Sequence, residues 1–225
     1  MLYGDPIRRA FFDRPCLEVA RDLVGSVLLR RLPDGTRLAG RLVEVEAYLG
    51  DGSDPGAHSH RGPTPRNRSM FGPPGRLYVY RSYGVHACAN VVCEREGSGA
   101  AVLLRAVEPL EGIDAMRRHR GLAGDRPERL IASGPGRLCE AFALGLELDG
   151  ASLLRGDLRL RWAGLEIEPF RVERGPRVGL NRGAELPHRF YAVDNPWVSR
   201  WRGGARRGAK SKARRREPIT RPAGR

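Results

Sequence analysis

The chain has 225 residues, 40% of them hydrophobic, and a net charge of +14. That composition supports one sizeable core. No run of 18 apolar residues occurs, which excludes a membrane-spanning helix, and the opening stretch MLYGDPIRRAFFDRP has no apolar signal core, so a cytoplasmic protein is expected.

In chain order, FFDRPCLEVARDLVG (11–25) shows helical spacing at Leu17, Ala20, Leu23 and Val24. Asp13 is expected as its cap, Pro15 in its first turn and Gly25 at its end. SVLLRRL (26–32) and TRLAGRLVEVEAYL (36–49) read as strands around a Pro33-Asp34-Gly35 turn. Residues 50–76 make a long loop rich in Gly, Pro, Asp, His and Arg; such loops in compact domains are functional or disordered. RLYVYRSYGVHACANVVCE (76–94) reads as a hairpin bending near Gly84, and AAVLLRAVEP (100–109) as a strand. LEGIDAMRRHRG (110–121) and GRLCEAFALGL (136–146) read as helices, the second capped by Ser133 with Pro135 in its first turn. LRLRWAG (158–164), LEIEPFRVERGPRVGL (165–180) and RFYAV (189–193) read as further strands.

Residues 201–225 hold ten basic side chains and one acid, a net +9, against 30 basic and 25 acidic over the first 200. They are expected to form a disordered, polyanion-seeking tail on a single 1–200 domain. Hairpin-linked strands with single helices predict an α+β fold around a mostly antiparallel sheet with flanking helices. Four cysteines, Cys16, Cys88, Cys93 and Cys139, show neither C-x-x-C nor metal-ligand spacing, so reduced buried thiols are expected.

Three constellations could carry chemistry. In LVEVEAYLG (42–50), Val43, Val45 and Ala47 share one strand face and Glu44, Glu46 and Tyr48 the other. Glu46 beside Tyr48, with His58 nearby in the chain, reads either as a desolvated general base or as a surface charge; Glu44 reads as the solvent-facing acid. YVYRSYG (78–84) offers Tyr78 and Tyr80 on one face and Tyr83 at a hairpin tip, flanked by Arg76 and Arg81. These residues suit base stacking, or are half-buried strand formers. TPRNRSMF (64–71) offers Arg66, Arg68, Asn67 and Ser69, either as a phosphate grip or as a solvated loop. His58 and His60 have weak metal spacing, and no metal site is expected. Arg105, inside the apolar strand VLLRAVE, needs a partner, either a buried carboxylate such as Glu46 or an anionic ligand.

The blocks GRLVEVEAYLG, AHSHRGPTPRNRSMFGPPGRLYVYRSYGVHACANV, AVLLRAVEPLEG, SGPGRLCEAF, PRVGL and RFYAVDNPWVS, in this order from about Phe11 to Ser199, resemble the 3-methyladenine DNA glycosylases of the alkyladenine type. The resemblance implies one compact domain with a curved antiparallel sheet and a protruding β-hairpin that enters the minor groove. It implies flipping of alkylated or deaminated purines from double-stranded DNA and hydrolysis of the N-glycosidic bond, without a cofactor. By the same resemblance Glu46 activates the water, which Arg105 and the Val178 carbonyl help to hold. Tyr48 and His58 stack on one face of the flipped base and Tyr80 on the other. Tyr83 is the wedge, and Asn90 crowds out the 2-amino group of guanine. A monomer associated with the bacterial nucleoid is expected. His86, Ala87, the short 91–100 turn and the basic tail depart from the vertebrate members.

Lys210 and Lys212 are the sole lysines; the other 38 basic residues are arginines. A glycosylase that also nicks the strand generally uses an amine to form a Schiff base with the sugar, so a monofunctional enzyme is expected. A damaged-DNA sensor with the same pocket and an RNA-binding protein on a related fold are the alternatives. A sensor has no need of Glu46 and Arg105 together.

Overall fold

A computed structural model describes residues 3–200; the basic segment 201–225 lies outside the described residues. Among the described residues nine strands form one antiparallel sheet: β1 (Tyr3–Pro6), β2 (Val27–Arg31), β3 (Arg37–Tyr48), β4 (Leu77–Ser82), β5 (His86–Cys93), β6 (Ala100–Glu111), β7 (Leu158–Ala163), β8 (Val172–Gly175) and β9 (Arg189–Ala192). Their order is β1-β7-β2-β3-β6-β5-β4. β9 also pairs with β3, and β8 pairs with β9. Four short helices accompany them: α1 (Arg9–Phe12), α2 (Cys16–Leu23), α3 (Ile113–His119) and α4 (Pro135–Ala141). This is the α+β architecture expected from the strand-rich, hairpin-linked pattern.

β3 is the hub. Its first half pairs with β2, Glu44–Glu46 pair with β9, and Ala39–Tyr48 pair with β6. Leu42, Val43, Val45 and Ala47 enter the main core with Cys16, Val19, Ala20 and Leu23 of α2 and Leu138 and Phe142 around α4. A second, smaller cluster gathers Tyr48, Tyr78, Cys88, Val92 and Leu103 on the opposite side. The β3–β6 register shifts at three places, between Ala39 and Gly40 and twice around Glu44. Leu42 faces Val107 and Glu44 faces Ala106, which leaves Val43 extra. Val45 then faces Leu104, which leaves Arg105 extra. Such bulges twist a sheet locally and re-aim side chains. The extra residue on β6 is held by the Gly134 N–H, which donates to the Arg105 carbonyl at 3.0 Å.

Several local expectations change. The segment 11–25 is not one helix: α1 ends at Phe12, and Pro15 stands at the α2 N-cap instead of inside its first turn. Asp13 makes no side-chain cap. Ser133 does not cap α4, because Gly134 is the N-cap and the Ser133 hydroxyl donates to the Trp197 carbonyl. Strand β6 runs on to Glu111 and delays α3 to Ile113. Of 165–180, only Val172–Gly175 is strand. β1 carries too little alternation in YGDP to stand out as a strand.

Candidate active site

Glu46 is fully buried, and three donors converge on it. Its Oε1 receives the Val178 N–H at 2.7 Å and lies 3.2 Å from Nη1 of Arg105; its Oε2 receives the Tyr48 hydroxyl at 2.9 Å. Tyr48, Arg105 and Val178 all line an open cleft of about 730 Å³. The carboxylate therefore stands one layer behind the wall, and the groups that hold it form that wall. A surface charge is excluded. Arg105 finds the buried carboxylate that the sequence demanded, and its charged form is favoured: burial opposes it, but Glu46 and Glu44 outweigh burial.

Glu44, expected in solvent, is a correction. It too is fully buried, bonded to Arg105, Arg189 and Ser199. The alternation was right; the face it pointed to is an interior one, where the Arg189 side chain from β9 and Ser199 meet the carboxylate.

Aromatic rings line the same cleft. His58 and Tyr80 line the cleft with Tyr48. Tyr78 and Tyr80 stack at 5.4 Å, and His58 accepts or donates a hydrogen bond at 2.8 Å with the Tyr78 hydroxyl. Burial, and then Arg66, push the His58 imidazole below its ordinary value, so it is neutral at pH 7. Burial lifts the Tyr78 hydroxyl to about 12 and raises those of Tyr48 and Tyr80 as well. His58 and Tyr80 meet edge to face with centroids 4.4 Å apart. A base sandwiched between them needs roughly 7 Å, two contact distances. No such slot lies between these two rings. Asn90 is buried with its amide donating to the Tyr78 carbonyl at 3.0 Å, and with Tyr48, His58 and Tyr80 it lines a small cavity of about 40 Å³ beside the main cleft, which those three rings also line.

Tyr83 sits at the tip of the β4–β5 hairpin, 86% exposed, and Val85 beside it is 68% exposed. Tyr83 and Gly84 both hold positive φ, 49° and 72°, and the Ser82 carbonyl accepts the Val85 N–H at 3.0 Å. Of the four arginines expected near phosphates, Arg66 lines the cleft mouth and donates to the Arg81 carbonyl. Arg81, Arg68 and Arg76 are exposed, with Arg76 also donating to the Gly150 carbonyl. Asn67 and Ser69 do not join them. Asn67 is buried and staples the loop through His58, Gly62 and Thr64, and Ser69 bonds Asp149.

Sequence reasoning missed several residues. Arg177 and Asp54 form a fully buried bidentate pair, both contacts at 2.6 Å. Arg177 also donates to the Ala47 carbonyl and lies over the Tyr48 ring at 4.6 Å. The pair fixes the 50s loop to the backbone just before Val178. Gly56 permits it, since a Cβ there would lie 2.8 Å from the Arg177 guanidinium. Across the cleft, Arg120, Arg137, Glu140 and His86 line the wall, with Glu140 bonded to both Arg120 and His86. The signal for Asp54 was the turn-forming Asp-Pro-Gly; nothing local marks Arg177. Among the described residues, no three His, Cys, Asp or Glu side chains are placed to hold a metal ion.

A family model described as methylpurine-DNA glycosylase matches residues 10–196. A protein from Nitrobacter winogradskyi, provisionally named a 3-methyladenine DNA glycosylase, is 48% identical over 201 residues, 88% of each chain. One so named from Methanoculleus marisnigri is 48% identical over 193 residues, 85% of this chain and 97% of its own. One from Chlorobaculum parvum is 46% identical over 202 residues, 90% and 94%.

Proposed function

Because the chain belongs to the methylpurine-DNA glycosylase family, whose members are DNA-repair enzymes, we propose that its cleft receives a damaged purine flipped out of duplex DNA and that Glu46 activates the water that hydrolyses the N-glycosidic bond. The observation that carries this is the convergence of Arg105, Tyr48 and the Val178 N–H on a buried carboxylate directly behind a ring-lined cleft. Bond breaking builds oxocarbenium character on the sugar, which a nearby carboxylate stabilises while it orients and deprotonates water; a positioned base contributes about 10²–10⁴-fold. The neutral His58 and the protonated tyrosines suit an electron-poor, cationic alkylated base, against which a charged imidazole would be repelled. Entry of a base parts the His58–Tyr80 contact, and Tyr83 fills the gap left in the duplex.

The test uses duplexes with one hypoxanthine or etheno-adenine, followed by alkali, together with release of bases from methylated DNA. Wild-type protein is expected to yield abasic sites, and Glu46→Gln to lose about 10²-fold or more of the rate. Lesion-selective binding without base release from any of these substrates overturns the reading in favour of a sensor. With no lysine before Lys210, borohydride is expected to trap no protein–DNA adduct. A covalent adduct would contradict the monofunctional reading.

A further inference from the structure

We infer that Glu44 is a positioning residue for the reaction: through Arg189 and Ser199 it locks the Arg105 guanidinium into the orientation that holds Glu46. This rests on the reading of Glu46 and Arg105 given above. Glu44 is fully buried, and of its partners Arg105, Arg189 and Ser199 only Arg105 lines the cleft, whereas all three partners of Glu46 do. Its Oε1 receives Nε of Arg105 at 3.2 Å, Nε of Arg189 at 2.5 Å and the Ser199 hydroxyl at 2.9 Å. Its Oε2 receives the Ser199 N–H at 2.7 Å. Four donors on one buried carboxylate leave it no second orientation.

Arg105 is fixed in turn. Its Nε meets Glu44, its Nη1 meets Glu46 at 3.2 Å and its Nη2 donates to the Ser199 hydroxyl at 3.3 Å. The planar fork thus spans both carboxylates, with the hydroxyl closing the third side. Charge completes the argument. Two carboxylates face two guanidinium groups in a buried space; Glu44 absorbs Arg189 and shares Arg105 with Glu46. Without Glu44, the charge of Arg105 falls on Glu46 alone and Arg189 loses its carboxylate, so Glu46 is drawn toward the arginine. The bulge that leaves Arg105 unpaired on β6 gives the arrangement its geometry, since the extra residue sits between Glu44 and Glu46 along β3.

The experiment measures single-turnover base release by the full chain at saturating enzyme, and affinity for a duplex carrying an abasic-site analogue. The variants are Glu44→Gln, Ser199→Ala, Arg105→Gln and the Glu44→Gln/Arg105→Gln double. Glu44→Gln is expected to slow release about 10- to 100-fold, as for loss of a charge-assisted hydrogen bond, with affinity kept within about twofold. Ser199→Ala, which removes one hydroxyl and leaves the charges, is expected to slow it about threefold or more. In the Arg105→Gln background Glu44→Gln is expected to add less than about twofold, because its effect passes through that arginine. A merely structural role would lower affinity and rate together, and its loss would persist in the double variant; either result overturns the proposal. Should Glu44→Gln fail to fold, Ser199→Ala decides alone, and an unchanged rate refutes the inference. Release by wild type with unaltered variants sinks only this inference; no release by wild type sinks the reading beneath it as well.

Discussion

Tyr83 places a bulky aromatic where backbone sterics favour glycine. Its φ of 49° is a left-handed conformation and the residue is 86% exposed, its one hydrogen bond being a long one from the hydroxyl to the Gly179 carbonyl at 3.5 Å, so neither backbone preference nor burial accounts for it. A residue held against its preference and offered to solvent suits an external partner. Tyr83→Gly separates the two sides. Relief of a left-handed side chain is worth up to ~1 kcal/mol after the added freedom of the unfolded chain is subtracted, so the melting temperature is expected to hold or rise. Base release from duplex at sub-saturating enzyme is expected to fall about tenfold, and release from single strands to change little, since only a duplex has a stack to fill. Equal loss on both substrates would show that the ring serves the pocket and not the helix.

At the scale of elements, the site depends on pins between segments remote in sequence. Asp54 and Arg177, 123 residues apart, tie the 50s loop to the chain that delivers the Val178 N–H. Removing one partner leaves the other charged and buried, so Asp54→Asn is expected to destabilise by about 3–5 kcal/mol and to lower activity through misplacement of Val178. Burial works against the Asp54 carboxylate, but the bonds from Arg177 win and hold it below its ordinary 3.8. The unfolded chain therefore takes up this proton first as pH falls. The pair's contribution is complete above about pH 4 and is lost below it, as the pH passes through the lower folded-state value. Wild-type melting temperature is expected to drop more steeply below pH 4 than that of Asp54→Asn; parallel curves would remove the pair from the account. These pins also explain what was legible in the sequence. β2, β3, β4, β5 and β6 follow from alternation and turn residues, and Glu46, Tyr48 and Arg105 from chemistry placed in apolar strands. Glu44 was misread because period-two alternation assigns a face without saying what covers it; here β9 and Ser199, about 145 and 155 residues away, do so. The two bulges that bring Arg105 between the carboxylates leave no mark in the local pattern. Arg177 looks like any other arginine in a chain with 38 of them.

For the whole molecule, charge is divided unequally between residues 1–200, at +5, and residues 201–225, at +9. The cleft, the rings and the buried carboxylates all lie in the first part, and among the described residues Ser199 is the last one bonded to Glu44. Division of labour follows from the physics of polyanions. Each cation brought to a phosphate releases counterions, so affinity falls with salt in proportion to the number of contacts, with a slope near −0.9 per contact on duplex DNA. The last 25 residues can supply up to ten such contacts without touching the base. Truncation after Arg200 retains Ser199 and its bonds to the Glu44 network. It is expected to weaken binding to undamaged duplex and to flatten the salt slope by several contacts' worth, leaving single-turnover release at saturating enzyme within about twofold. Measuring the slope with and without the segment checks the first claim. A large fall in the saturated rate would mean that the segment contributes to the site, and that residues 1–200 are not a complete catalytic domain.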